Sequence, residues 1–157
     1  MNLARLQAVL EDYGKEIADN YRDLIRDRGH NASGQLIESI STYVRVDGRY
    51  YEARMKLADW WKYLEEGTKP HWPPIDAIAK WIEVKPVIPR PDASGRIPTT
   101  HQLAYLIARK ISRVGTPATH LLRDTKEVVT PFWRSRISEA LGHDMTDYIR
   151  KVVQSPA

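Results

Sequence analysis

Histidines and carboxylates are the side chains from which this chain could build a metal or acid–base site. The histidines are His30, His71, His101, His120 and His143. No two of them stand three or four residues apart, so no helix face presents a metal-binding pair. Glu65, Glu66 and Asp92 would suit acid–base or two-metal hydrolysis, but nothing in their spacing brings them together. The sequence therefore predicts no metal, no cofactor and no enzyme, and a small hydrolase using Glu65 or Glu66 is the least favoured alternative.

Nucleophilic side chains and phosphate-binding loops are equally scarce. The chain has no cysteine, which removes thiolate nucleophiles, cysteine-ligated zinc and redox pairs. Ser33 and Ser39 lie near His30 in the sequence but match no nucleophile elbow. Gly115 and Gly142 stand alone, without the glycine-rich pattern of a phosphate loop. Acyl transfer and nucleotide chemistry are therefore not predicted.

A modest basic excess raises the question of nucleic-acid contact. Lysine and arginine number 24 against 20 acidic residues, which gives a formal net charge of +4. The charges alternate along the chain and form no basic block. The cations best placed for phosphate contact are Arg90, Arg96, Arg109, Lys110 and Arg113. Because cations also suit the last turns of a helix, a structural role for the last three stays open beside the DNA contact.

A long amphipathic helix is predicted over residues 2–28, ending at Gly29. Its apolar positions recur at three- and four-residue steps. They are Leu3, Leu6, Leu10, Tyr13, Ile17, Tyr21 and Leu24. At 1.5 Å per residue such a helix is about 40 Å long, more than one domain easily covers. Part of the stripe is therefore expected either to lie across its own sheet or to contact another subunit.

The pattern then changes to the alternation of a β-hairpin. Apolar and polar residues alternate over 40–46 and again over 51–57, and the strong turn signal Asp47-Gly48 separates the two runs. A two-stranded ribbon is marginal in water by itself. The hairpin must therefore pack on helices or pair with neighbouring copies.

An aromatic segment follows the hairpin and is expected to form the centre of the core. Trp60, Trp61 and Trp72 lie close together in this segment, and large aromatics bury roughly 150–250 Å² each. Asp59 is expected to cap the short helix that begins here, and Gly67 to end it.

The remainder of the chain is predicted to be helical, apart from one proline-rich loop. A helix from Pro74 to Val84 ends before Pro86, the loop spans 86–98, and Thr99 or Thr100 caps a helix that closes at Gly115. A final helix covers 121–153, with a kink predicted at Thr130-Pro131 and a weak point at Gly142. The positions predicted to face inward are Ile75, Ile78, Trp81, Ile82, Leu103, Leu106, Ile107, Ile111, Ile137, Leu141, Met145, Tyr148 and Val152. The fold class is thus α+β, in one domain spanning 1–157 with an extended loop at 86–98.

Length and hydropathy place the chain among soluble domains. Its 157 residues suffice for one core without disulfides or metals. No apolar run approaches the ~20 residues of a membrane span, and no signal-peptide core follows Met1. We therefore expect a soluble protein with no membrane association.

Three segments resemble, in order, motifs of the tail-completion or minor tail proteins of tailed bacteriophages. Residues 33–40, Ser-Gly-Gln-Leu-Ile-Glu-Ser-Ile, are similar to that family's Thr/Ser-Gly-x-Leu-x-x-Ser-Ile segment before the first strand. Residues 60–68, Trp-Trp-Lys-Tyr-Leu-Glu-Glu-Gly-Thr, resemble its Tyr-Ala-x-Tyr-Val-Glu-x-Gly-Thr box. Residues 107–122 are similar to its closing Ala-x-x-Ile, Gly-Thr-x-Pro and Phe-Leu pattern. Trp61, Glu66 and the pair His120-Leu121 depart from the family pattern.

The resemblance implies a structural virion protein that forms a symmetric ring at the head–tail junction, around the path of the genome. Six copies are favoured, with twelve as the alternative. The implied partners are portal or adaptor proteins, tail proteins and, transiently, genomic DNA. The implied location is the neck or tail of the virion, and the host cytoplasm during assembly. The open alternative is a DNA- or RNA-binding accessory protein acting through a basic surface.

Particular residues follow from this resemblance. The motif and core residues are Gly34, Leu36, Ser39, Trp60, Tyr63, Glu65, Gly67, Thr68, Gly115, Pro117 and Leu122. The candidate subunit-interface residues are Leu3, Leu6, Leu10, Val87, Ile88, Arg90 and Ile97. The candidate contacts with DNA in the lumen are Arg96, Arg109, Lys110 and Arg113. Because a bare buried carboxylate is costly, we expect Glu65 to be held by backbone donors or by a basic partner.

Overall fold

The computed structural model describes residues 3–30, 33–48, 50–85, 87–91 and 93–154 and confirms the α+β class. The helices are α1 (Ala4–Asp27), α2 (Gln35–Ser39), α3 (Trp61–Glu66), α4 (Ile75–Val84), α5 (Thr100–Val114) and α6 (Leu121–Gln154). The strands β1 (Ser41–Asp47) and β2 (Tyr50–Lys56) form one antiparallel hairpin. The short helix α2 was not predicted. Among the described residues, no helix is both long and apolar enough to cross a bilayer.

The main core lies between α1 and α6, which run antiparallel. Tyr21, Ile25 and Leu121 are its largest fully buried side chains. The antiparallel direction follows from two ion pairs, because Arg28 contacts Asp124 at 3.1 Å while Arg5 contacts Asp144 at 3.1 Å. The end of α1 therefore meets the start of α6, and the start of α1 meets the second half of α6.

The hairpin lies across the first half of α1. Its register runs from Ser41 opposite Lys56 to Asp47 opposite Tyr50, which confirms the predicted strands. Leu3, Leu6 and Leu10 pack with hairpin side chains, and they are 5%, 7% and 8% exposed. The prediction that these leucines lie in a subunit interface is therefore wrong, because the chain's own hairpin already covers them.

Helices α4 and α5 form a second, smaller hydrophobic cluster. Ala104 and Ala108 of α5 are fully buried against Ile78 and Ile82 of α4. Thr99 begins α5 with a reciprocal capping box, since its hydroxyl accepts from Gln102 N while the Gln102 side chain accepts from Thr99 N. The predicted cap of α5 is thus confirmed.

Two residues predicted to face inward in this cluster do not. Trp81 is 41% exposed and Leu106 is 50% exposed. Each helix of the pair buries only the narrow face that meets the other, where the alanines allow close approach. Flanking apolar side chains therefore stay at the surface.

The prediction that the aromatic segment forms the centre of the core is also wrong. Trp60, Tyr63 and Trp72 are 43%, 65% and 53% exposed, whereas Trp61 is partly buried against the main core. Helix α3 has only 6 residues, and the side chain it buries is Glu65. Trp60 rather than Asp59 occupies its N-cap, and no side chain caps it, whereas Gly67 ends it as predicted.

Four of the five predicted inward positions of the C-terminal helix lie at the surface, whereas Ile137 packs inward as predicted. Leu141, Met145, Tyr148 and Val152 are 39%, 38%, 44% and 56% exposed, and Ile137 is partly buried. Helix α6 has 34 residues and α1 has 24, and α1 meets α6 through a different set of positions. Those positions are Val129, Trp133, Ala140 and Asp144. The helix runs on through Pro131 and Gly142 without interruption.

The proline-rich loop has no helix or strand over its described residues, 87–91 and 93–98. Ile88 is 90% exposed and Ile97 is 66% exposed, whereas Val87 packs on the α4–α5 cluster. The predicted stop at Pro86 lies outside the described residues, and α4 ends at Val84. The loop thus exposes apolar side chains. Its role as a subunit interface stays a prediction.

Candidate functional site

Two of the three motif segments meet at one place, which we call the crossover junction and define as residues 64–68 and 115–123. Thr68 and Thr116 form a two-residue antiparallel bridge there. Thr68 N donates to Thr116 O at 3.1 Å, and Thr116 N donates to Thr68 O at 3.2 Å. Their hydroxyl oxygens are 2.9 Å apart. Everything between the two segments, including α4 and α5, leaves the junction and returns to it.

Gly67 and Gly115 permit this crossing. Their φ, ψ angles are 71°, −171° and 72°, −160°, a region that is essentially restricted to glycine. A Cβ on Gly67 would overlap the carbonyl oxygen of Thr116, and one on Gly115 would overlap the carbonyl oxygen of Thr68. Both glycines are therefore required by backbone conformation and by the closeness of the two chains.

Glu65 caps the N-terminus of α6 from a distant part of the chain. Its two carboxylate oxygens accept hydrogen bonds from Leu122 N at 2.9 Å and Arg123 N at 3.0 Å. The residue is 8% exposed. These N–H groups are among those left without partners at the start of any helix. The expectation that backbone donors hold Glu65 is thus confirmed.

Further hydrogen bonds close the junction. Leu64 O accepts from Thr119 N at 3.1 Å and from the Thr119 hydroxyl at 2.7 Å, and Glu65 O accepts from His120 N at 3.1 Å. His120 takes a positive φ of 53° to make the turn into α6. These bonds fix where α6 begins relative to α3.

Tyr21 of α1 lies close to this carboxylate. Burial raises the pKa of Tyr21 to about 12, and the negative charge of Glu65 adds to the effect. The hydroxyl of this fully buried residue has no hydrogen-bond partner in the part of the chain that the structure describes. The junction therefore carries a neutral phenol beside a capping carboxylate.

The first motif segment joins the core separately. Gly34 takes a φ of 80° before α2, and Leu36 is 3% exposed in the same cluster as Leu122. Ser39 donates its hydroxyl to Leu36 O at 2.7 Å and accepts from Ala58 N at 3.0 Å. This segment therefore ties the end of β2 to the α1–α6 core.

Beside the junction is a depression of about 1120 Å³, which we call the aromatic groove. Its walls include Trp60, Tyr63 and Trp81 from α3 and α4, and Pro117 lines it from the junction. Its charged lining residues are Lys62, Lys69, Lys85, Asp59 and Glu66. The motif residues Trp60 and Tyr63 therefore line a surface groove instead of the core.

His30 and Lys85 stand on the wall of the groove near the end of α1. The Lys85 ammonium donates to Gly29 O at 2.6 Å and lies 5.5 Å from the centre of the Trp81 ring. Burial lowers the pKa of His30 below its usual value, and the charges of Lys85 and Arg28 lower it further. The groove therefore combines aromatic faces with charged side chains of both signs.

The structure separates the candidate DNA-contacting cations into two groups. Arg109, Lys110 and Arg113 are exposed together on α5, around a depression of about 250 Å³. Arg96 lies instead with Arg90 and Ile97 in another depression, of about 630 Å³. The described part of the chain holds no cluster of three or more metal-binding side chains.

Asp144 has a structural role that sequence reasoning did not identify. Its carboxylate accepts from Leu6 N at 2.9 Å and from the Arg5 guanidinium at 3.1 Å, and the residue is 6% exposed. It therefore caps α1, whose own N-cap Leu3 offers no side-chain bond. The sequence signal for this role was the spacing: Asp144 follows Ala140 by four residues and so lies on the same, buried face of α6.

We expect Asp144→Ala to lower the free energy of unfolding by about 1–3 kcal/mol, because it leaves a buried helix N–H without an acceptor. Asp147→Ala is the matched control on the same helix. Asp147 is 38% exposed, and Arg5 bonds it at 2.6 Å, which holds the pKa of its carboxyl below its usual value. Urea unfolding should show a clearly smaller loss for the control, since exposed ion pairs contribute little. Equal losses would mean that Asp144 does not cap α1.

No family model, curated protein or solved structure matches the chain. The resemblance to tail-completion proteins therefore rests on the motif residues themselves.

Proposed function

We propose that this chain is a structural subunit of a tailed-phage virion that assembles into a symmetric ring at the head–tail junction. It acts by joining connector to tail around the DNA path, without catalysing a reaction. The place in the virion is taken from the resemblance of residues 33–40, 60–68 and 107–122 to tail-completion motifs.

The main observation in favour of assembly is that this chain leaves several large apolar side chains exposed. Val128 and Phe132 of α6 are 76% and 60% exposed, and Val153 is 77% exposed. Ile88 and Ile97 are further exposed apolar side chains, on the loop. Soluble monomers seldom expose contiguous apolar patches beyond a few hundred Å², and larger ones mark interaction sites. Copies of the same chain in a closed ring would cover such surfaces.

The crossover junction supports the proposal in a second way. Residues from two motif segments, far apart in sequence, meet there through Glu65, Gly67 and Gly115. A motif that fixes the start of α6 explains why those residue types occur together. The motif thus serves to build a subunit of defined shape.

Imaging of particles of the phage that encodes the chain tests this function. We expect cryo-electron microscopy to show the chain as a closed ring between head and tail, and a deletion to leave heads and tails unjoined. Absence of the chain from the particles, or its presence there as isolated single molecules, would overturn the proposal.

Nucleic-acid binding is the second candidate, favoured by the grouped exposure of Arg109, Lys110 and Arg113 on α5. Phosphate contacts alone give binding that weakens steeply with salt, by about 0.9 log units in affinity per log unit of salt for each phosphate. A ring subunit should bind DNA only at low salt. Tight binding by a monomer at physiological salt would favour the accessory-protein function instead.

A further inference from the structure

Helices α4 and α5 form a part of the molecule with its own hydrophobic core. We call it the α4–α5 lobe and define it as residues 69–85 and 99–114, and we call the helices α1, α2, α3 and α6 with the hairpin the body. The lobe's cluster draws on residues between Ile75 and Ile111. The body's clusters draw on residues before Glu65 and after His120. No cluster of described residues contains members from both parts, so each part buries its own apolar surface.

The space between the lobe and the body is open. The aromatic groove lies there, with Trp60 and Tyr63 on the body side and Trp81 and Ile111 on the lobe side. A second depression, of about 310 Å³, lies between Leu36 of the body and Trp81 of the lobe. In the described chain, neither α4 nor α5 packs extensively on any helix or strand of the body. Parts of a chain that share a small, open interface move relative to each other unless something holds them.

The lobe is connected to the body at a single place, the Thr68–Thr116 bridge. On one side the chain leaves the bridge through residues 69–74, which include three prolines and form no helix or strand. On the other side it returns through Gly115, which ends α5. Hinges consist of a few loop or helix-terminal residues that absorb changes in φ and ψ. Because both connections meet at the bridge, the lobe can turn about the bridge while both cores stay intact.

Lys85 provides a contact between the two parts away from the bridge. Its ammonium, at the end of α4, donates to Gly29 O, just beyond α1, at 2.6 Å. The Trp81 ring, centred 5.5 Å away, holds the ammonium on this side of the helix. Lys85 is only partly buried, so water can replace its partner and the bond can break and re-form. The contact therefore has the character of a latch.

We propose that the α4–α5 lobe rotates as a rigid unit about the Thr68–Thr116 bridge, and that the Lys85–Gly29 bond holds the aromatic groove in a closed form. When the bond breaks, the groove widens, and the sides of Trp60 and Trp81 that line it become more accessible. One side chain thus controls access to the groove. The device does not depend on the proposed ring and can be tested on a single chain.

A distance measurement between two spin labels tests the rotation, because the natural chain has no cysteine to interfere. Asp27→Cys/Glu83→Cys places the labels at exposed positions on either side of the latch, one on α1 and one on α4. Labelled chains are diluted with unlabelled chains, so that distances between copies do not contribute.

Lys85→Met removes the donor of the latch and keeps the apolar stem of the side chain. In this background we expect the label distance to lengthen by about 5 Å, the movement that a rotation of about 15° produces about 20 Å from its axis. Lys80→Met is the matched control. Lys80 is an exposed lysine of the same helix that does not line the groove, and its removal should leave the distance unchanged.

Two results would overturn the proposal. The same single, narrow distance in the natural chain and in both variants would show that the lobe is fixed to the body. A broad distribution that Lys85→Met does not shift would show a hinge without this latch, and would overturn the role of Lys85.

Hydrogen exchange separates rotation of the lobe from its unfolding. In a rigid rotation, the amides of α5 should exchange in Lys85→Met at the rates of the natural chain, because the α4–α5 cluster stays packed. Faster exchange throughout α5 would mean that the lobe unfolds when the latch is removed, and would overturn the hinge.

Discussion

Gly67→Ala and Gly115→Ala are each expected to destabilise the fold severely. The substituted residue would hold a backbone conformation that costs an L-residue about 1–3 kcal/mol. Its methyl group would also overlap a carbonyl oxygen across the Thr68–Thr116 bridge. Backbone atoms cannot move aside as a flexible side chain can, so the bridge must separate. We expect a total loss of at least about 4 kcal/mol, a large share of the stability of a small domain.

Gly142→Ala provides a control with the opposite sign. Gly142 lies inside α6, and a Cβ there would meet no atom within 4 Å. Alanine is favoured over glycine in a helix by about 0.5–1 kcal/mol, so this variant should be more stable than the natural chain. Denaturant unfolding at one low protein concentration compares the three variants, because assembly adds concentration-dependent stability. A Gly67→Ala protein as stable as the natural chain would contradict the geometry of the junction.

Glu65→Ala is expected to cost about 2–4 kcal/mol of unfolding free energy. The change removes the two carboxylate oxygens that accept hydrogen bonds from Leu122 N and Arg123 N. These N–H groups are then left without a partner at a largely buried helix end. Glu65→Gln keeps one carbonyl oxygen in place and should lose about half as much, because it gives up the charge and one of the two bonds.

Glu66→Ala is the matched control for this loss. Glu66 is the next residue of α3 and is exposed, so its removal should change stability by no more than about 0.5 kcal/mol. Thermal and urea unfolding measure the difference. A Glu65→Ala loss no larger than that of Glu66→Ala would show that the carboxylate does not fix the start of α6.

Local signals predicted much of the fold correctly. The Asp47-Gly48 turn, a cap at Thr99 or Thr100 and the helix-ending glycines Gly67 and Gly115 depend on a few neighbouring residues and are predicted from them. The reciprocal bond from Gln102 that completes the capping box was not predicted. The close approach of Gly67 and Gly115 to backbone carbonyl groups from a distant part of the chain was not predicted. Neighbouring residues do not indicate which distant carbonyl group comes close.

The errors concern which apolar face becomes the core. Helix α6 has apolar residues on more than one side, and the sequence does not say which side meets α1. Trp133 and Val129 lie on the side of α6 that faces α1, so Met145 and Tyr148 lie at the surface. Trp60 and Tyr63 were expected to be buried because of their size. Helix α3 is too short to bury both its aromatics and the capping carboxylate of Glu65.

These differences bear on the proposed assembly. Tyr148 of α6, Trp60 and Tyr63 were expected to be buried, and all three lie at the surface. The leucines wrongly expected at an interface, Leu3 among them, are buried under the hairpin. An assembling chain would show this distribution, with apolar surface kept for a partner instead of its own core.

Whether the chain closes into a ring is decided by the mass of the purified chain under native conditions, together with electron microscopy of the same sample. We expect a single closed species of fixed copy number, six being favoured, seen as rings with an open centre. A chain that stays monomeric up to about 100 μM, well above the micromolar affinities of weak but specific complexes, would contradict it.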